Sequence, residues 1–319
     1  TTLMKISTRV IRNKKLHNFE SICDISCSQS LAAVNDLKQT FSMHFTLPKA
    51  KFCAHHWREM SEYADFYLAD KYYSQTVPLK IMLERQPQPL IGRGFQNALI
   101  NDYRAECDLR PYWDRARGHH LISLYSRYKL TKKTIFHEKL KAELSLFSNR
   151  KDFCRTYIWT DALNLAIRSL NLLALIEVLQ NDNSCLLEGA IVAYDMTCRA
   201  LVLTRSPETS IENNHHLVET LSLLLYYVVT NNFQMWSKEL TYLTKLRNKL
   251  FYPNGLLYEG TLPYQRFALE AYLVVLFFLQ KLRADEDLIK KLFSQIELIY
   301  QFAVCISRES KEVKKSGDS

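Results

Sequence analysis

WTDALNLAIRSLNLLALIEVLQ, residues 159–180, decides the class of fold. Its apolar positions Leu163, Ala166, Ile167, Leu170, Leu173 and Ala174 recur at spacings of three and four. That is the period of one helix face, whereas a half-buried strand alternates in twos. Thr160 is available as an N-cap, and the flanks NRKD and NDNS read as turns. Arg168 stands alone as a cation in the middle of the apolar run. An unpaired charge in a core is too costly to keep, so Arg168 calls for a buried carboxylate or a functional reason.

Outward from this stretch, the same periodicity predicts helices at about 117–130, 133–147, 186–204, 214–231, 234–250, 265–282 and 285–308. With 7 glycines and 8 prolines in 319 residues, turns are few, which excludes an all-β architecture. Successive helices with short connections pair antiparallel, as in a bundle, a solenoid or a closed ring of hairpins. Periodicity does not separate the three. In the first hundred residues, LAAVNDLKQTFSM and HWREMSEYADFYLADKYY accept a helical reading, while TVPLKIMLERQPQPLIGRGF reads as irregular. The domain expectation is a helical or irregular region over 1–100 packed on a helical core over 101–308, with a charged tail over 309–319.

The net charge of +9 favours a polyanionic partner: nucleic acid, anionic lipid or acidic polysaccharide. No nucleic-acid module is recognisable and Lys and Arg are scattered, so nucleic acid is not assigned. The N-terminal TTLMKISTRVIRNKKLHNF has no apolar core of a signal peptide. The longest apolar stretches, LSLLLYYVV (221–229) and AYLVVLFFL (271–279), are shorter than a bilayer span and read as buried helices. Eight irregularly spaced cysteines do not form a disulfide framework. Cys23, Cys27, Cys53, His55 and His56 are zinc ligands by type but lack the tight repeated spacing of structural zinc sites. They read as ordinary thiols and imidazoles, and no metal or cofactor is assigned.

Four places carry residues able to do chemistry. DLRPYWDRARGHHL (108–121) brings Trp113, Arg117, His119 and His120 together; Arg168 is the second. IENNHHLVE (211–219) opens a helix with Asn213, Asn214, His215 and His216. YPNGLLYEGTLPYQRF (252–267) carries Glu259, Tyr264 and Arg266 between two apolar runs. Each has a plain structural reading as well. The aromatic–arginine cluster can clamp a helix pair, Asn213 or Asn214 can cap a helix, and Tyr264 can pack.

Taken in order, these segments resemble the heparinase II/III-like polysaccharide lyases, including the oligoalginate lyases. DLRPYWDRARGHHL is similar to that family's segment of an aspartate and a basic residue, then tryptophan, arginine and His-Leu. WTDALNLAIRSLNLL is similar to its tryptophan- and Ile-Arg-bearing helix. NNHHLVE is similar to its Asn-Asn-His…Glu helix start, and PNGLLYEGTLPYQRF to its Gly…Glu…Ser…Tyr…Arg-Phe loop. The likeness spans residues 108–270.

The resemblance implies an all-α fold, an α/α toroid, and cleavage of an acidic polysaccharide such as heparan sulfate or alginate by β-elimination, with no metal. Carried over residue by residue, Asn214 neutralises the uronate carboxylate, His215 is its partner or the base, and Tyr264 is the acid or base. Arg266 or His215 would lower the Tyr264 pKa. Trp113, Arg117, Arg168 and Asn213 line or brace the groove, and Glu259 and Arg266 shape the loop. Asn254-Gly255 and Pro263 bound that loop, so that Tyr264 is presented from it towards the Asn214–His215 helix start.

Three departures stand out. Asn164 replaces the family's usual glutamate, Thr261 replaces a serine, and the strand-rich region that in the family forms a β-sandwich with a further catalytic histidine is not found here. The family works in the periplasm or outside the cell. The same residues also suit a non-catalytic acidic-glycan-binding toroid, or a helical protein-interaction scaffold in which they are structural.

Overall fold

The computed structural model describes Ala64 and residues 110–153, 156–159, 161–180, 186–205 and 212–309. The expected N-terminal helices, the irregular segment after them, the cysteine–histidine set, Thr160 and the tail from 310 lie outside the described residues.

Among the described residues from Arg110 onward, nine α-helices follow one another: α1 (Arg110–Arg117), α2 (His119–Thr131), α3 (Thr134–Ser148), α4 (Ala162–Leu179), α5 (Leu186–Thr204), α6 (Asn214–Val229), α7 (Phe233–Leu250), α8 (Leu262–Lys281) and α9 (Glu286–Glu309). Short 3₁₀ turns at Arg150–Asp152 and Tyr157–Trp159 lie between α3 and α4. Among the described residues, extended pairing is confined to a single bridge between Phe251 and Leu257.

The helices form four hairpins, α2–α3, α4–α5, α6–α7 and α8–α9, whose halves pack on each other. The first helices also pack side by side in chain order, α2 on α4, α4 on α6 and α6 on α8, while α3 packs on α5. Each hairpin returns the chain to its starting side, so the first helices run parallel and start at the same end. This two-layered arc of hairpins has the packing of an α/α toroid and is not that of a simple bundle.

Burial follows the layers. α6 is enclosed almost all round, with Leu217, Leu221, Leu224 and Leu225 fully buried, whereas α7 buries only Leu243, Leu246 and Leu250. Each fully buried leucine contributes about 1.5–3 kcal/mol of transfer free energy. α4 and α8 have the length and apolarity of a bilayer span, more than the runs judged from sequence. In α4 most of that surface is covered by neighbouring helices, as in a core helix.

Two buried polar constructions tie the first hairpins together. Arg168 is fully buried: its Nε donates to Thr197 Oγ1 at 3.0 Å and its Nη1 to the Ile158 carbonyl at 2.9 Å. Its guanidinium also lies 4.6 Å from the Phe147 ring centre and 4.5 Å from that of Trp159. With no surface facing solvent, Arg168 takes the bracing role of the two expected of it and does not line a groove. The second is Glu143 on α3, which accepts from Arg115 Nε and Nη2 at 2.9 and 2.8 Å, with His120 Nε2 at 3.2 Å and Lys139 at 3.3 Å. Burial alone would raise the Glu143 carboxyl, but hydrogen bonds and charge from His120 and Arg115 outweigh it and hold the group well below its ordinary range.

The sequence reading differs at three element starts. Asp161 caps α4, accepting the Asn164 N–H at 2.8 Å. The helix α1 was not anticipated, because Pro111 stands in its first turn and Gly118 directly follows it. Pro is tolerated in a first turn, and Gly118, at φ 77°, makes the left-handed break between α1 and α2 that glycine adopts freely. Finally, α8 starts at Leu262 with Pro263 in its first turn. Tyr264 therefore belongs to the helix and not to the loop before it.

Candidate functional site

The parallel first helices place the starts of α4, α6 and α8 at one end of the arc, and most of the residues singled out from sequence sit there. α1 delivers Arg117 to the same end. Its Nε donates to Asn164 Oδ1 at 2.8 Å, and Asn171 Nδ2 donates to its carbonyl at 3.0 Å. Asn164 is an amide where a glutamate was expected, so it orients the guanidinium without neutralising it. Trp113 lies half-buried one turn earlier on α1.

At the start of α6, Asn213 is the N-cap, its Oδ1 accepting the N–H groups of His215 and His216 at 3.0 and 3.4 Å. Asn214 is buried, and both its backbone N–H and its Nδ2 donate to the Glu259 carboxylate at 3.0 Å each. This two-point clamp fixes the Asn214 amide plane and leaves one Nδ2 hydrogen and Oδ1 for other partners. The His215 side chain stands exposed between these groups. Packing of the surrounding helix ends lowers its pKa, with Arg117 acting in the same sense and the Asp161 and Glu259 carboxylates opposing. It is a neutral imidazole at neutral pH, able to accept a proton. His216 is buried, with Nδ1 3.2 Å from Asn213 Oδ1, and belongs to the cap.

The loop carrying Glu259 is built from its own backbone. Tyr252 N–H donates to the Leu256 carbonyl and Tyr258 N–H to that of Leu250, both at 2.8 Å. Gln265 on α8 closes it, donating to the Gly255 carbonyl at 2.8 Å and accepting the Leu257 N–H at 2.7 Å. Gly255, at φ 87°, lies against α9 so closely that a Cβ would come within 2.4 Å of the Leu298 carbonyl oxygen. Glu259 thus does shape the loop, by tying it to α6. Tyr264 lies in the first turn of α8, half-buried, and its hydroxyl makes no hydrogen bond with a described residue. The Arg266 guanidinium pairs with Glu270 on the exposed side of α8 at 2.6 Å.

Sequence reasoning passed over Glu219. It lies one turn below His215, is 5% exposed, and carries no hydrogen bond among the described residues. Burial pushes its carboxyl up to about 7, against Arg205 and with help from Asp161. The signal was available: Glu219 interrupts an apolar helix just as Arg168 does. Among the described residues, no group of three or more His, Cys, Asp or Glu side chains is placed to hold a metal.

No protein-family model matches the chain, and no curated protein does. Among solved structures, the heparan sulfate lyase HepC from Pedobacter heparinus is similar at 15% identity with a TM-score of 0.44. The match covers 79% of this chain and 42% of that one.

Proposed function

We propose that the protein is a polysaccharide lyase, or the helical part of one, acting on a uronate-containing glycan by β-elimination. The observation that carries the reading is the cluster at the helix starts: a neutral, exposed His215 beside a clamped Asn214 amide and the Arg117 guanidinium, which meets an amide and no carboxylate among the described residues. In the proposed reaction, Arg117 and the free Nδ2 hydrogen of Asn214 hold the uronate carboxylate and stabilise the negative charge that develops on it. His215 takes the C5 proton, the electron pair forms the C4–C5 double bond, and the C4–O4 bond breaks. Tyr264 gives its proton to the departing O4, and water later returns the proton to its phenolate. Asn213 and Glu259 keep the donors in place, and Trp113 offers a face to a neighbouring sugar. Arg266, held by Glu270, supports the first turn of α8.

The test is the ultraviolet absorbance of the unsaturated uronyl product from heparan sulfate, alginate and hyaluronan, for the wild type and for His215→Ala, Asn214→Ala and Tyr264→Phe. Product from one polymer, reduced in all three variants while the fold is retained, is expected. Absence of product from every polymer at high protein concentration overturns the enzymatic reading. A second reading, an acidic-glycan-binding arc without catalysis, is favoured by the lack of any hydrogen bond from the Tyr264 hydroxyl to a described residue. It would appear as salt-sensitive glycan binding, weakened by Arg117→Ala, with no product formed.

A further inference from the structure

At the far end of α6, about 20 Å from Asn214 by helical rise, the α6–α7 and α8–α9 turns enclose a cavity of about 290 Å³. Phe233 and Trp236 form one wall, their rings edge to face with centres 4.8 Å apart. Phe233 is 69% exposed although it opens a helix beside an apolar core. Asn231, Arg283 and Asp285 complete the rim.

The two turns share a design. Asn231 and Arg283 both adopt left-handed backbone, at φ 53° and 50°, where glycine would be less strained. Neither side chain has a hydrogen-bonding partner among the described residues. Asp285 Oδ1 caps α9 through the Asp287 and Leu288 N–H groups, leaving Oδ2 for another donor. An amide, a guanidinium and a carboxylate, all planar and with unused hydrogen-bonding capacity, therefore surround an exposed aromatic wall.

The electrostatics select the ligand. Arg283 is one cation beside Asp285 and Asp287, Glu286 being paired with Lys290 at 3.5 Å, and α6 and α8 end here while α7 and α9 begin, so the helix-end charges oppose each other. A polyanion gains nothing at this place. A neutral ring with an apolar face and several hydroxyls satisfies every group present. We infer that this cavity is a binding site for a neutral pyranose unit, stacked on the Trp236 ring with the Phe233 ring beside it and hydrogen-bonded by Asn231, Arg283 and Asp285. The choice of a sugar over other neutral rings rests on the glycan reading proposed above, but the site and its preference for an uncharged ligand do not.

The indole N–H signals of the four tryptophans provide the test, with Trp236 assigned by Trp236→Phe. The probes are cellotetraose, maltotetraose and, for contrast, a uronate tetrasaccharide, each raised to about 10 mM, enough for millimolar affinity. The expected result is a saturable shift of the Trp236 signal with a neutral tetrasaccharide, unchanged in about 0.5 M NaCl, where surface charges are screened. It should persist in Asn214→Ala and weaken about tenfold in Arg283→Gly, which keeps the left-handed backbone while removing the guanidinium. No shift with either neutral probe overturns the inference. So does a shift unaffected by Arg283→Gly, or one produced only by the uronate and lost in salt. Lyase activity with a silent Trp236 would refute this site alone; a neutral-sugar shift without lyase product would refute only the catalytic reading.

Discussion

Glu219→Gln is expected to stabilise the protein at alkaline pH and to change it little in acid. Glu219 is 5% exposed, and burial pushes its carboxyl from an ordinary 4.5 up to about 7, Arg205 opposing and Asp161 assisting. The folded state therefore holds the proton more tightly than the unfolded chain. Its contribution is fully present below about pH 4.5 and is lost as the pH rises through about 7. A gap of about 2.5 pH units at ~1.36 kcal/mol each gives about 3 kcal/mol, of which about 2.5 kcal/mol is lost between pH ~5 and pH ~8. Glutamine has a similar shape and cannot ionise, so the variant escapes that loss. Urea unfolding followed by circular dichroism at the two pH values, on both proteins, measures the difference. His120, His215 and His216, whose pKa values burial lowers, add a slope of opposite sign, but they do so in both proteins and cancel. Parallel stability–pH curves for wild type and variant would refute the reasoning, because they would mean that Glu219 ionises as it does in the unfolded chain.

Three further outcomes follow from the geometry. Glu143→Leu leaves the buried Arg115 without its carboxylate and should cost about 3–5 kcal/mol, with Arg115→Met added to it restoring most of the loss; thermal unfolding of the single and double variants checks this. Gly255→Ala forces a Cβ to within 2.4 Å of the Leu298 carbonyl oxygen at φ 87° and should destabilise by more than ~1 kcal/mol, with faster proteolysis in the loop. Glu259→Gln turns an amide towards the two Asn214 donors and should lower product formation at least about tenfold with little change in melting temperature. An unchanged rate would show that the clamp does not position Asn214.

The helices were legible because burial of a helix face leaves a three-and-four spacing that survives in each segment. α5 carries it between its predicted limits of 186 and 204, the bounds of the structure. α1 was not legible, since its eight residues are too short to establish a period, contain Pro111 and are followed by glycine. Arg168 was conspicuous, but its partners come from Thr197, Ile158, Phe147 and Trp159, whose meeting depends on how hairpins stack and not on local spacing. For the same reason the Asn214–Glu259 clamp, joining positions 45 apart, could be guessed as a helix start and a loop but not as one unit. Tyr264 was misplaced through a local ambiguity: Pro263 ends a loop equally well by closing it or by opening the next helix.

Gly255 seated against Leu298 has a consequence for the order in which the molecule becomes complete. Arg117, Asn164 and Asn214 are synthesised before α9, yet the loop that orients Asn214 is backed by that helix, near the end of the described residues. Until α9 has emerged and docked, the loop carrying Glu259 is held only by its own backbone and by Gln265, without the support of Leu298 behind Gly255. A nascent chain can thus contain every residue of the cluster before it has the helix that backs the loop, and that helix contributes no side chain to the cluster.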